Sequence, residues 1–159
     1  YYVNAHGTAP YLSDEGFEFS EDQYFHGGRT YYAHGAQIDN SYDDEMYRSE
    51  RYGKDFHYKI PARVGKTYKV KLFFAENYWQ EEGKRMFNMD INSDRKLTQF
   101  DIFAEAGGRH MAITKEYYVT TQQSMIDIHF FIDEHCADNA KVSAICVTEV
   151  DEMPADNSR

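Results

Sequence analysis

The stretch YKVKLFF at residues 68–74 alternates apolar and polar side chains, and the run AENYW at residues 75–79 follows it directly. A period of two puts the apolar side chains on one face of the backbone, as in a half-buried β-strand. The next run places Tyr78 and Trp79 side by side where that strand ends, close to the carboxylate of Glu76. We therefore predict a strand that leads into an aromatic loop.

The same alternation marks three further strands, FHYKI at 56–60, FNMDI at 87–91 and IDIHF at 126–130. Turn-forming residues such as Gly65, Gly83 and Asn92 bound these segments, because Gly and Asn tolerate turn conformations. Short strands that follow one another across turns predict serial antiparallel pairing.

Two other segments complete the prediction of the fold. Residues 142–150 (VSAICVTEV) are nearly continuous in apolar character, which predicts a central strand with both faces covered. Residues 102–110 could form a helix, but Gly107 and Gly108 limit it to one turn. Many short strands with frequent turns predict an all-β fold, a two-sheet antiparallel β-sandwich whose loops gather at its ends.

Length and composition fit this fold. A chain of 159 residues is the size of one domain, which we place at residues 1–150, with a polar linker or tail at residues 151–159. The chain is 42% hydrophobic and contains 14 Tyr and 11 Phe, residues that favour pleated, half-buried surfaces. Cys136 and Cys146 are too few for a disulfide framework, and we expect two unpaired thiols.

Charge limits the classes of partner. The chain has 17 basic and 27 acidic residues and a formal net charge of −10, which would repel a nucleic-acid backbone. It has no run of about 18 apolar residues, so we expect no direct insertion into a membrane. Because it begins with Tyr1 and not Met, we expect a longer parent chain with neighbouring domains as partners. The cellular compartment stays open between an extracytoplasmic and a cytosolic location.

The aromatic loop is suited to a sugar. A pyranose ring packs its C–H face on an aromatic ring, and its hydroxyls bond to carboxylates and other polar groups. A structural interpretation competes with this one, since Tyr78 and Trp79 could close one end of a β core.

Three more loops are candidates for a chemical role, and each also has a structural interpretation. They are residues 22–32, residues 42–52 and residues 135–141. Their structural interpretations are a packed turn around Gly27 and Gly28, charge pairs on a sheet edge, and an Asp-Asn turn.

Metal and cofactor binding are not predicted. The seven histidines are scattered along the chain, and none forms the close sequence pairing with Cys or Glu that zinc sites show. The run Asp43-Asp44-Glu45 on an extended chain would point successive carboxylates to opposite faces, unlike a calcium loop.

Eight phrases occur in an order that resembles the malectin family of carbohydrate-binding domains. They are VNAHG (3–7), EDQYFHGG (21–28), DDEMYRSERYG (43–53), FHYKIP (56–61), KLFFAENYW (71–79), MFNMDIN (86–92), FDIF (100–103) and DNAKVSAICV (138–147). The likeness runs from Val3 to Val150. It implies a lectin-like β-sandwich of the galactose-binding jelly-roll kind, without catalytic activity, that binds glucose-containing oligosaccharides.

The resemblance also implies a set of carbohydrate-binding residues. Tyr52 matches the aromatic of the ERYG phrase, Tyr78 and Trp79 match the pair after FAEN, and Asp138 matches the acid of the DNxK phrase. A further tyrosine after the glycine-arginine turn falls on Tyr32, with Tyr31 adjacent. The family pair is Tyr-Phe, so Tyr-Trp offers a larger aromatic surface here.

Two other functions remain open from the sequence. Glu76 and Asp138 could be the paired carboxylates of a glycosidase, which lie about 5–5.5 or 6.5–9.5 Å apart, although the resemblance brings no hydrolase motif. Malectin-like domains also occur in receptor kinases and kinesin-type motors, so the domain could be a protein-interaction module that has lost sugar binding.

Overall fold

A computed structural model gives the architecture of residues 1–155. Its strands are β1 (Tyr2–Asn4), β2 (Tyr11–Leu12), β3 (Glu18–Phe19), β4 (Phe25–His26), β5 (Arg29–Tyr32), β6 (Ser49–Gly53), β7 (Asp55–Pro61), β8 (Thr67–Phe74), β9 (Phe87–Ile91), β10 (Asp94–Phe100), β11 (Ile113–Thr120), β12 (Met125–Phe131), β13 (Ala140–Val142) and β14 (Ala144–Val150). Its two short helices are α1 (Asp44–Arg48) and α2 (Ile102–Ala106).

The strands form two large antiparallel sheets packed face to face. One has the order β1-β14-β8-β11 and the other the order β10-β9-β12-β7-β4. A three-stranded sheet, β13-β6-β5, and the hairpin β2-β3 are added to this sandwich. The all-β, two-sheet prediction is confirmed.

Alternate side chains of the two large sheets make the core. β8 and β12 alternate between buried and half-buried positions along their whole length. Their inward residues, with those of β7, β9 and β14, form one apolar cluster that includes Phe56, Leu72 and Phe130. The rings of Phe56 and Phe130 stack at a centroid distance of 4.9 Å. Burial of this face is the main stabilising contribution.

The alternation located the strands but not their partners. All four alternating segments are strands, and the segment at 87–91 has the predicted bounds. Serial pairing is wrong for β7 and β8, since β7 pairs with β12 and β4 while β8 pairs with β11 and β14. The chain crosses between the sheets at the turn around Gly65. The alternation in a strand shows which of its side chains face the core. It does not show which strands pair with its two edges.

Two segments differ from the prediction locally. Residues 44–48 form a helical turn and not a charged sheet edge, because Asp44 and Glu45 lie in its first turn and Arg48 in its last. The segment at 142–150 is interrupted at Ser143, where β13 ends and β14 begins. β14 is central in its sheet, but the outward positions of its second half are not buried. The single-turn helix predicted at 102–110 is α2.

Three other predictions concern the cysteines, the membrane and the end of the chain. Cys136 and Cys146 are free thiols, as predicted. In residues 1–155, no helix has the length and apolar character to cross a bilayer. Residues 151–155 of the predicted linker continue from β14 outside any strand or helix, and residues 156–159 lie outside the described part of the chain.

Replacing Phe130 with Ala tests the contribution of the core. The side chain is fully buried against Phe56, so its loss leaves a cavity between the sheets and should lower the free energy of unfolding by about 3–5 kcal/mol. The control is Tyr42→Ala, because Tyr42 is 88% exposed and its loss should change the value by less than about 0.5 kcal/mol. Urea unfolding measures both, and equal values would contradict this account of the core.

Candidate functional site

Trp79 and Asp138 meet at one end of the sandwich. The indole Nε1 of Trp79 donates a hydrogen bond of 2.8 Å to Oδ2 of Asp138. The ring of Tyr78 lies edge-on to the indole, with centroids 4.8 Å apart and planes at 89°. Tyr78 is 62% exposed and Trp79 is half-buried. We call Tyr78 and Trp79 the aromatic platform, and the structure puts it beside a carboxylate.

The carboxylate of Glu76 anchors the loop that carries the aromatic platform. Its Oε2 accepts hydrogen bonds from the backbone N–H groups of Tyr78, at 3.2 Å, and Trp79, at 3.4 Å. Glu76 therefore fixes the loop through backbone hydrogen bonds. Burial alone would raise the pKa of the fully buried carboxyl, but Lys141, Arg85 and the backbone hydrogen bond outweigh it and hold the pKa below its ordinary value. Glu76 is therefore ionised at neutral pH.

Arg85 joins the two carboxylates of the site. Its Nε donates to Glu76 Oε1 at 2.7 Å, and its Nη1 donates to the backbone carbonyl of Asn139 at 2.9 Å. Its Nη2 lies 3.4 Å from Asp138 Oδ2. The guanidinium is a planar fork of donors, so one side chain can hold the platform loop and the Asp138 loop in fixed relation. The sequence analysis missed Arg85, whose only signal was a basic residue between a turn and a strand.

The backbone at Asp138 is unusual. Asp138 has a φ of +58°, in the left-handed region that few residues other than glycine adopt. Asp138 is an exposed residue, and 31% of its side-chain surface is accessible to solvent. Oδ2 contacts Trp79 and Arg85, while the one contact of Oδ1 within residues 1–155 is a long one of 3.4 Å with the Asn139 amide. An ionised carboxylate has about four acceptor positions, so Asp138 keeps room for a ligand donor.

Tyr52 reaches this end of the molecule through the three-stranded sheet. In the β6-β13 register Tyr52 lies opposite Lys141, which follows the Asp138 loop. Cross-strand partners lie on the same face of a sheet, as do residues two apart on one strand. Tyr52 is therefore on the face that carries Lys141 and Glu50. These two form a buried ion pair of 2.9 Å. The same lysine helps to lower the pKa of Glu76, so its ammonium group lies near the carboxylate that anchors the platform loop.

The glycine turn before β5 brings the next strand close to β6. Gly27 and Gly28 have φ values of +86° and +78°, as the structural interpretation of this loop predicts. A Cβ on Gly28 would come within 3.1 Å of the Tyr52 carbonyl oxygen and 3.0 Å of Arg51. The turn therefore requires glycine, and it sets β5 in register with β6.

That register separates Tyr31 from Tyr32. Tyr31 lies opposite Glu50 and shares the face of Tyr52, whereas Tyr32 lies opposite Ser49 on the other face. The hydroxyl of Tyr32 donates to Glu45 at 2.6 Å. Its ring contacts His34, with centroids 4.7 Å apart, and lines a separate cavity of about 340 Å³. The structure thus brings Tyr52, Tyr78, Trp79 and Asp138 to one end and does not bring Tyr32 with them.

A sizeable cavity lies elsewhere. It has a volume of about 470 Å³ and lies over the outer face of the β1-β14-β8-β11 sheet, where its wall includes Tyr2, Phe17 and Lys71. None of the five residues predicted from the resemblance lines it. A sugar ring stacks on a shallow surface, so a platform needs no deep cavity, and we base the site on the contacts of Trp79 and Asp138.

Replacing Arg85 with Met should loosen the platform. The change leaves the buried Glu76 carboxylate without its partner, and breaking such a pair costs about 3–5 kcal/mol. Trp79 is the single tryptophan, so its emission should shift to longer wavelength as the loop opens to solvent. Arg95→Met is the matched control, since Arg95 pairs with Asp90 on an exposed surface. Unchanged emission in folded Arg85→Met protein would contradict the role given to Arg85.

The loss of stability in acid should depend on Glu76. A carboxyl whose pKa is lower in the folded than in the unfolded state adds stability above the unfolded pKa, about 4.3 for Glu, and loses it as the pH falls through the folded value. Urea unfolding below that pH should give a steeper loss of stability for the wild type than for Glu76→Gln. Parallel curves would contradict the pKa assignment, and a carboxyl NMR titration of the wild type checks it without the variant.

Comparison with known proteins identifies the family. A model of the malectin domain matches residues 1–145. Malectin-B of Xenopus laevis is 33% identical over 69 residues, which cover 43% of this chain and 25% of that protein. Receptor-like protein 4 of Arabidopsis thaliana is 29% identical over 117 residues, which cover 70% of this chain and 18% of that protein. The chain thus spans a quarter or less of these relatives.

Solved structures share the fold. The extracellular domain of ANXUR2 from Arabidopsis thaliana superposes with a TM-score of 0.84 at 15% identity, over 96% of this chain and 49% of that chain. A β-glucuronidase from Bacteroides uniformis superposes with a TM-score of 0.80 at 20% identity, over 94% of this chain and 18% of that chain. These likenesses concern architecture alone. The match over residues 1–145, supported by the malectin relatives, shows that the chain belongs to the malectin family, as a module of the carbohydrate-binding type.

Proposed function

We propose that the chain binds glucose-containing oligosaccharides at the aromatic platform and Asp138, without chemical change to the sugar. The observation that carries the proposal is the hydrogen bond between Trp79 Nε1 and Asp138 Oδ2, which holds an indole beside an exposed carboxylate. An apolar ring face next to a charged acceptor matches the two kinds of surface that a pyranose presents.

Each residue has a definite part in this proposal. Tyr78 and Trp79 stack on the C–H faces of one or two sugar rings. Asp138 accepts hydrogen bonds from hydroxyls through the positions that Trp79 and Arg85 leave free. Tyr52 forms a wall of the cleft and offers its phenol as donor or acceptor. For the remaining wall we favour Tyr31 over Tyr32, because Tyr31 is 48% exposed on the face of Tyr52.

The geometry supports binding over hydrolysis. A glycosidase needs one carboxyl with a raised pKa as its general acid. Glu76 is one of the two candidate carboxylates, but it is fully buried, paired with Arg85 and held ionised. Its Oε2 is taken up by backbone N–H groups. Glu76 is therefore suited to hold the loop and not to donate a proton to a glycosidic oxygen.

The binding should be weak. Aromatic packing contributes about 0.5–1.5 kcal/mol beyond buried area, and a hydrogen bond to a charged group about 1.5–3 kcal/mol. After the loss of rigid-body entropy, a total of about −4 to −8 kcal/mol corresponds to millimolar to micromolar dissociation constants. Such a module becomes effective by avidity or by attachment to other domains.

Titration with glucose, maltose, nigerose, cellobiose and galactose tests the proposal, with Trp79 emission and calorimetry as readouts. We expect a saturable response to a glucose-containing disaccharide, weakened at least tenfold in Asp138→Ala and Tyr52→Ala. Tyr31→Ala and Tyr32→Ala form a matched pair, in which only the first should weaken binding. A flat response in folded protein at tens of millimolar sugar would refute glucoside binding, and equal effects of the pair would refute the choice of Tyr31.

A second candidate is a protein-interaction module that has lost sugar binding. What favours it is the similarity to Receptor-like protein 4 and to the ANXUR2 extracellular domain. Under this alternative, a neighbouring domain or partner covers the platform. Quenching of Trp79 emission by a soluble quencher in the full-length protein discriminates the two, since an open sugar site stays accessible and a covered platform does not.

A further inference from the structure

Two histidines that are far apart in sequence stack on the outer face of the five-stranded sheet. The β7-β12 register places His57 directly opposite His129. Their rings are nearly parallel, at 4°, with centroids 3.9 Å apart, and Phe131 stacks on the far side of His129 at 4.5 Å. Both histidines are about three-quarters buried. The linear spacing of the histidines gave no sign of this pair.

Carboxylates bracket the stacked rings. Nδ1 of His57 donates to Asp127 Oδ1 at 2.7 Å, and Nε2 of His129 donates to Asp55 Oδ1 at 2.6 Å. When Nδ1 of a neutral histidine carries the proton, Nε2 carries the lone pair. The Nε2 of His57 lies 3.7 Å from the same oxygen of Asp55. A lone pair thus faces an anionic oxygen, an arrangement that a cation between them would stabilise.

The negative charge around the two histidines also favours binding of a cation. Asp55 and Asp127 pair with the two histidines, and among residues 1–155 neither carboxylate has a Lys or Arg nitrogen within 4.0 Å. Asp90, opposite His129 on β9, already has Arg95 as its partner. Lys59 lies opposite Asp127 in the β7-β12 register but not within that distance. With neutral imidazoles, the cluster of Asp55, His57, His129 and Asp127 therefore carries two negative charges that no Lys or Arg of the described residues contacts.

We propose that Asp55, His57 and His129 bind a divalent transition-metal ion of the zinc type, with Asp127 orienting His57. One ligand atom from each of the three residues lies within 4.8 Å of the others. Two imidazole nitrogens and one carboxylate oxygen suit zinc, which commonly takes three protein ligands and leaves a fourth position open.

The distances suit an ion of this size. Ligand atoms about 2.0–2.1 Å from a tetrahedral zinc ion are about 3.3 Å apart. The two N–O separations of 2.6 and 3.7 Å lie on either side of that value. On binding, the ring proton of His129 shifts from Nε2 to Nδ1, and the metal ion replaces the hydrogen bond to Asp55. Because both Nε2 lone pairs must then point at one ion, the parallel rings tilt toward each other. The bond from His57 to Asp127 is the carboxylate–histidine–metal arrangement that fixes the tautomer and raises ligand basicity.

Calorimetric titration of the chain with zinc chloride tests the site, with Co²⁺ visible absorption as a second readout of coordination. We expect one equivalent to bind saturably, at least tenfold more weakly in His129→Asn and in Asp55→Asn. Asp127→Asn, which changes only the group behind His57, should weaken binding by about 10–100-fold. His135→Asn is the matched control, since His135 is an exposed loop histidine outside the cluster and its loss should leave the affinity unchanged.

The outcomes separate a built site from adventitious binding. Equal affinity in all variants, or a loss only in His135→Asn, would overturn the proposal, as would the absence of saturable binding by folded wild type. The variants are compared by melting temperature without metal, so a folding defect is detected directly. If a variant does not fold, histidine NMR of the wild type decides the question, because zinc must shift the ring signals of His57 and His129 together.

Discussion

The buried ion pair between Arg85 and Glu76 is the contact on which the candidate site depends. Its two charges join three parts of the chain, namely the strand end after β8, the turn before β9 and the loop before β13. An isolated β-bridge between Met86 and Ala137 pairs the turn before β9 with the loop before β13. Arg85 adds the platform loop to this pair through Glu76. Without Arg85, the platform loop would keep its hydrogen bond from Trp79 to Asp138 but lose this charged anchor.

Buried charge of this kind is poor evidence of extra stability, because desolvation offsets much of the attraction. What the pair contributes is geometry. Glu76 satisfies two backbone N–H groups at the platform, and Arg85 satisfies the carbonyl of Asn139. Lys141 and Glu50 repeat the pattern beside it. The apolar core between the sheets supplies stability, while these ion pairs fix the loops at its end.

The sequence predicted what depends on local pattern and missed what depends on pairing. Strands such as β8 and β9 were found because their alternation reflects one apolar face. The helical turn at residues 44–48 was missed because its charges were interpreted as a sheet edge. Tyr31 and Tyr32 are adjacent, so only the β5-β6 register assigns them to opposite faces. Arg85 had no motif, since its partners come from two distant loops. The phrase resemblance supplied Tyr52, Tyr78, Trp79 and Asp138 together, which no periodicity would have grouped.

The histidine cluster is a second case in which the sequence pattern did not show which residues meet. His57 and His129 occupy outward positions of β7 and β12, and the alternation that buries Phe56 and Phe130 leaves these positions outside the core. Outward positions can hold polar or metal-binding side chains because they do not pack in the core. The strand register decides which of these side chains lie next to each other. β12 also leads into the loop that carries Asp138, so the two sites share a strand. Between them Asp133 accepts hydrogen bonds from the His135 backbone and the Asn88 amide. These hydrogen bonds fix the start of the loop, so a tilt of the His129 ring need not move Asp138.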